Sequence, residues 1–381
     1  MLLIKRGGHA WNILMLLLIT GEFPFRSLSL LGNERMLKAT AVRMSDVHDI
    51  RFSDSDKTYR CRLITISGKS TWKTMRLCRS GFDLIADEMP ELLSSYLGDT
   101  YGHRFHGEKR VTERNHRIAE ASVMCMKAGI ECRRHLVPAL QKIEFKQIDF
   151  HDPAFYSSKT IKRLGVDEIN KSKYLRMVGA IFSQAGMYEI YNSRGEVLEW
   201  YGQGEDKIIR TMDDVCKYNF RIPERHRAII LGQNYDVAIE TMRRFEAGDK
   251  YVQLDYTGYE SMHFLPMDEN GLKLLQIMMV MNWERKLTSL IFEPRYLPKD
   301  KHFLYDARID DTYVLSFLDS DILKLSAFLK TVTQEEVAWE VACFDVQLPF
   351  LRKYLGDDAV INPIPLEAIH KQLNAERRSL I

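Results

Sequence analysis

The sequence has no Cys-x-x-Cys pair, no internal repeat, no low-complexity tract and no apolar run near the roughly 20 residues that a membrane span requires. Its six cysteines, Cys61, Cys78, Cys125, Cys132, Cys216 and Cys343, are scattered without even spacing, which argues against a disulfide framework and a structural zinc site. They read as reduced thiols of a cytoplasmic protein. Lys5 and Arg6 ahead of Ile13 to Ile19 imitate a secretory leader. Trp11 and Asn12 interrupt the approach, however, and Gly21-Glu22-Phe23-Pro24 offers no small-x-small cleavage pattern, so the segment reads as a buried first helix. The most telling absence is of negative charge. Between Lys57 and Phe82 there is no Asp or Glu, while Lys57, Arg60, Arg62, Lys69, Lys73, Arg76 and Arg79 are all there.

What is present is ordinary globular composition, 45% hydrophobic and 28% charged over 381 residues, which speaks against a disordered or fibrous chain and suits one large domain or two. The net charge of +2 conceals a division. Residues 1–150 hold 24 Lys and Arg against 17 Asp and Glu, whereas residues 151–381 hold 30 against 35. A basic front half points to a polyanionic partner for that half alone, although such an excess also occurs on solvated faces.

Apolar spacing predicts a helix from Trp11 to Thr20 that Gly21 and Pro24 stop, a second short helix from Phe25 to Leu31, and a third, capped by Asn33, running to about Val47. On the third, Leu37, Ala41 and Met44 fall on one side, while Arg35, Lys38, Ala39, Val42 and Arg43 occupy the other. Strands from Tyr59 to Ile66 and from Trp72 to Leu77, around a Ser67-Gly68-Lys69-Ser70 turn, complete a basic hairpin. Three helices followed by a hairpin is the order of a winged helix-turn-helix. In that arrangement Arg35, Lys38 and Ala39, with Arg43 on the same side, face base edges of double-stranded DNA, and Arg60, Arg62, Lys69, Lys73, Arg76 and Arg79 contact phosphates. An amphipathic surface helix without a ligand is the plainer reading of the third helix taken alone.

Helices are expected next at about 81–95 and 110–128, with Arg110, Arg114 and Arg117 adding positive charge near Lys109. Asn115-His116 is either a functional pair or a hydrogen-bonded interface histidine. His103 and His106 lack a third ligand of suitable spacing, so no metal and no cofactor is expected. The fold class reads as α+β, divided into a winged-helix domain with a helical extension (1–135), a linker (136–155) and a mixed α/β domain (156–381).

In that second domain the pair Glu205 and Lys207 has the spacing that metal-dependent nucleases of the restriction-endonuclease type place on an active strand, with Glu189, Glu196 or Glu199 as supplier of the further carboxylate. The same two residues also look like the opening of a helix, where a glutamate is simply favourable electrostatics. Gly202-Gln203-Gly204 and Gly232 are incomplete phosphate-loop patterns. Asp306, Asp310, Asp311, Asp319 and Asp321 read as solvated acidic surface, Cys343 and His263 show no third catalytic partner, and Met278, Met279 and Met281 read as core or as a protein-binding groove.

Four segments carry a resemblance: Trp11-Asn12-Ile13-Leu14 through Gly21-Glu22-Phe23-Pro24-Phe25, Arg114-Asn115-His116-Arg117-Ile118-Ala119-Glu120, Phe155-Tyr156-Ser157-Ser158-Lys159, and Trp200 to Lys207. Together they resemble winged-helix proteins of bacterial plasmids and integrative conjugative elements, related to the replication-relaxation and relaxosome-accessory group. The resemblance implies double-stranded DNA binding near an element's origin in support of a relaxase or replication protein. It also implies a C-terminal domain similar in layout to a degenerate restriction-endonuclease-like fold. A second copy of the chain is a further expected partner, and no membrane is expected. A Mg²⁺-dependent nuclease using Glu205 and Lys207, and a transcriptional regulator sensing a small ligand, are the alternatives.

Overall fold

Five closely spaced apolar residues, Ile13, Leu14, Leu16, Leu17 and Leu18, are almost fully buried in helix α1 (His9–Thr20), each contributing about 1.5–3 kcal/mol by leaving water. Gly21 ends the helix in a left-handed conformation, its N–H bonding the carbonyl of Leu17. The computed structural model describes residues 1–105, 107–132, 152–162, 176–199, 209–210, 212, 226–254, 258–298 and 304–379. The fold is mixed α+β, and the chain divides into two compact units, Met1–Lys127 and Ala128–Ile381. Most of the expected linker, residues 136–151, lies outside the described residues.

In the first unit, β1 (Leu2–Ile4) precedes α1, and β2 (Glu22–Pro24) follows it. A 3-10 helix (Phe25–Leu31) and α2 (Glu34–Met44) come next, and the Asn33 side chain caps α2 by accepting the Met36 N–H at 3.1 Å. Leu37, Ala41 and Met44 of α2 are buried in one core with α1, in agreement with their spacing. Then come β3 (His48–Phe52), β4 (Tyr59–Cys61), β5 (Ile64–Ser67) and β6 (Thr74–Leu77), followed by α3 (Phe82–Glu88), α4 (Pro90–Asp99) and α5 (Lys109–Lys127).

These strands form two sheets. One is β1-β3-β4, with β1 parallel to β3; the other is antiparallel and ordered β2-β6-β5. The single strand expected from Tyr59 to Ile66 is therefore two strands in different sheets. The chain turns at Arg62–Leu63, where the Leu63 amide bonds the Met44 carbonyl, its own carbonyl accepts the Cys78 amide, and Gly81 packs against it. The hairpin proper is β5 and β6, joined through Gly68, whose φ of +95° and closeness to the Trp72 carbonyl exclude a side chain.

The second unit holds β7 (Glu131–Cys132), β8 (Ala154–Ser157), α6 (Ser158–Lys162), β9 (Gly179–Ser183), β10 (Gly186–Arg194), β11 (Arg227–Gly232), α7 (Tyr235–Glu246) and β12 (Ser261–Pro266). Their sheet runs β12-β11-β10-β9-β8-β7: β8, β9 and β10 form an antiparallel meander, and β11 and β12 continue parallel to β10. Strands β9 to β11 are buried almost throughout, as sheets covered on both faces require. After α8 (Glu269–Met278) and α9 (Trp283–Ile291) come β13 (Ala307–Ile309), β14 (Thr312–Ser316), α10 (Ile322–Glu335), β15 (Trp339–Phe344), α11 (Leu348–Leu355), β16 (Ile361–Ile364) and α12 (Leu366–Ser379). The last four strands make a second sheet, parallel from β14 to β16. Residues Met279 to Asn282 separate α8 from α9, and Asn282 adopts φ +57°. Met278 and Met279 are buried, while Met281 is exposed.

Candidate nucleic-acid interface and a polar cavity

Burying Leu37, Ala41 and Met44 turns Arg35, Ala39, Val42 and Arg43 outward, and all four are exposed. Lys38, half-buried on the flank, pairs with Glu34 one turn earlier and lies 5.8 Å from the centre of the Phe25 ring. Lys73, from the hairpin, reaches the same ring at 5.9 Å. Helix α2 and the hairpin thus each bring one ammonium group to the Phe25 ring. Lys69 is exposed at the hairpin turn. Beside it a groove of about 370 Å³ is lined by Gly68, Trp72 and Lys109, with the Lys109 ammonium 4.3 Å from the Trp72 ring centre.

The other cations of the acid-free segment have local contacts of their own. Lys57 pairs with Asp87 at 2.7 Å, and hydrogen bonds from Lys57 and then Tyr59 hold the Asp87 carboxyl below its ordinary range. Arg60 is exposed on β4, directly across from Asp49 on β3, in the sheet that does not contain the hairpin. Arg62 lies at the turn between the two sheets, its backbone tied to Ser80. Arg79 is exposed after β6 and its guanidinium approaches the Gly102 carbonyl at 3.4 Å.

Arg76 departs most from the expectation. It sits opposite Glu22 of β2, donating Nε and Nη2 to Oε2 at 2.8 and 2.6 Å, and stacks 4.6 Å from the Phe105 ring centre. Glu22 is 1% exposed and also accepts from Asn115. His116, equally enclosed, hydrogen-bonds Thr74 at 3.0 Å. Arg76, Asn115 and His116 thus fasten α5 to the hairpin sheet, and Arg76, partly exposed, also lines the groove beside Lys69.

In the second unit Glu205 and Lys207, like Gly202-Gln203-Gly204 and His106 of the first, lie outside the described residues. Glu189 is fully buried on β10, and its Oε2 accepts from the hydroxyls of Tyr191 and Tyr259. Gly232 leaves room for the Phe264 ring, which a Cβ would meet at 2.2 Å, so its smallness serves packing.

The acidic residues divide in a way their spacing hides. Asp310 and Asp311 are exposed in a turn, whereas Asp306, Asp319 and Asp321 converge on a cavity of about 260 Å³ together with His263, Ser261 and Lys324. The Asp321 side chain caps α10, Lys324 pairs with Asp306 at 2.5 Å, and burial pushes the Asp319 and Asp321 carboxyls up to about 6. His263 Nδ1 lies 2.8 Å from the Asp319 carbonyl, so that nitrogen carries the proton and Nε2 accepts from the Ser261 hydroxyl at 2.9 Å. Burial lowers the pKa of this imidazole from its ordinary value. Cys343, the partner considered for His263, is instead a core thiol raised to about 12 by burial. Among the described residues no group of three or more His, Cys, Asp or Glu is arranged to hold a metal ion, and no helix is long and apolar enough to cross a membrane.

Neither a family model, nor a curated protein, nor a solved structure matches this chain.

Proposed function

We propose that the protein is a sequence-specific double-stranded DNA-binding protein whose first unit acts as a winged helix, with α2 as the groove-facing helix and β5–β6 as the wing. The observation that carries this reading is the meeting of Lys38 from α2 and Lys73 from the hairpin at the Phe25 ring, beside the exposed Arg35, Ala39 and Arg43. The pairing of β2 with β6 after the helical segment supports it, since it joins the first strand to the wing. In this reading Arg35 and Ala39 address base edges, while Lys38, Lys69, Lys73 and Lys109 contact phosphates, so affinity falls steeply with salt.

The resemblance supports a place for the protein on a plasmid or conjugative element, as an accessory of transfer or replication, with the acidic second unit recruiting a relaxase, a replication protein or a second copy of the chain. The antiparallel meander β8–β10 followed by parallel β11 supports a nuclease-like layout for that unit, and the enclosure of Glu189 by tyrosines supports loss of cleavage. Sequencing the fragments of its own element that the purified protein retains tests this proposal. Recovery around an origin of transfer or replication is the expected result, and recovery of promoters alone, or of no discrete position, contradicts it. A second reading, in which a small ligand tunes DNA binding, is favoured by the convergence of polar groups on the second unit's cavity.

A further inference from the structure

The outward line of α2 is poor in the residues that read base edges by hydrogen bonds. Spaced at one and two turns, Arg35, Ala39 and Val42 share that line, with Met36 and Arg43 along one side of it. Val42 is 50% exposed and Met36 51%. Arg43 donates to the Met1 carbonyl at 2.7 Å, and Lys38 is held by Glu34, which leaves Arg35 as the charged residue centred on the line. No Asn or Gln lies on it. The centre of the face is thus hydrocarbon, flanked by Arg35 and Arg43 and neighbouring the hairpin lysines.

Single apolar residues on a surface need no explanation, but an apolar strip framed by cations is a poor match for solvent and a good one for a particular polyanion. In the major groove thymine alone presents a methyl group, and small apolar side chains are its complement. The distance from Arg35 to Val42 is about 10 Å along the helix axis, which spans roughly three base pairs. We infer that α2 recognises thymine methyl groups through Ala39 and Val42, with Arg35 at the other end of the same short step directed to a guanine edge. This inference rests on the DNA-binding reading above. It adds the chemical class of the recognised site: duplex DNA whose major groove displays thymine methyls against α2.

The test uses the full chain and a random duplex pool enriched on it, the enriched pool then being prepared in two forms, with thymidine or with deoxyuridine throughout. Deoxyuridine pairs identically and lacks only the methyl group. The expected result is weaker binding of the deoxyuridine form, by about fourfold for each thymine methyl that α2 covers. Val42→Ser and Ala39→Ser, both at exposed positions, are expected to shrink that ratio towards one while still retaining DNA. Equal affinity for the two forms, or an undiminished ratio in both variants, overturns the inference and leaves DNA binding standing. Retention of neither form by the wild-type chain overturns the DNA reading and this inference with it.

Discussion

Arg76 and Lys73 are three positions apart on one hairpin, and their replacement by alanine is expected to have opposite consequences. Arg76 pairs with a glutamate that is 1% exposed, so Arg76→Ala leaves the Glu22 carboxylate enclosed with Asn115 as its remaining hydrogen-bond donor among the bonds described. Breaking one side of a buried ion pair costs about 3–5 kcal/mol, and because Arg76 itself is 23% exposed the expected loss lies near the lower end. Loss of its stacking on Phe105 adds to this. Lys73→Ala removes an exposed ammonium and is expected to change stability by no more than about 0.5 kcal/mol. It should nevertheless weaken duplex binding across sequences and reduce the salt dependence by about one ion. Urea unfolding of the full chain followed by circular dichroism gives the first quantity, and duplex binding at several salt concentrations gives the second. The reasoning is refuted if Arg76→Ala costs less than about 1 kcal/mol while impairing DNA binding as Lys73→Ala does. A double replacement, Glu22→Gln with Arg76→Met, is expected to recover much of the stability lost by Arg76→Ala, since no unpaired charge remains enclosed.

Other consequences are as specific. The Asp319 and Asp321 carboxyls stand at about 6, above their unfolded value near 3.9, so the folded chain holds more protons between those values. The stability they contribute is fully present below about pH 4 and is lost as pH rises through 6; Asp319→Asn should flatten that fall and raise stability at neutral pH by on the order of 1–2 kcal/mol, and identical pH slopes in denaturation curves would contradict it. Gly68→Ala forces a Cβ against the Trp72 carbonyl at 2.5 Å in a left-handed backbone, and should destabilise the hairpin by about 1–3 kcal/mol; unchanged urea midpoints would show the turn to be different. Glu189 is sealed by two tyrosine hydroxyls, so supercoiled DNA incubated with Mg²⁺ should remain intact, and cleavage that disappears in Glu189→Gln would overturn that reading.

Local signals were legible where they were strong and short-range. Asn33 as cap of α2 and the Leu37–Ala41–Met44 stripe both emerge from spacing and capping chemistry alone. Non-local pairings were not legible. The parallel partnership of β1 with β3 joins residues nearly fifty positions apart, and its strands are too short to show a period. The break at Arg62–Leu63 was hidden because cations continue evenly across it, while the change of sheet is imposed by Met44 and Cys78 from elsewhere. Charge counting also missed the ion pair that Arg76 makes within the wing sheet, since nothing local reveals that Glu22 will lie across the strand from it. The same blindness concealed the cavity: Asp306 and Asp319 come together only when β14 turns back along β13 and Asp321 opens α10.

The central claim is that cations from α2 and the hairpin form one surface for duplex DNA, and a salt titration of binding tests it most directly. For the wild-type chain the logarithm of affinity should fall linearly with the logarithm of salt, and the combined Arg35→Ala, Lys69→Ala and Lys73→Ala chain should bind more weakly with a slope shallower by about two ions, one for each phosphate-contacting lysine. Equal affinity and equal slope for the two proteins at moderate salt would contradict the account.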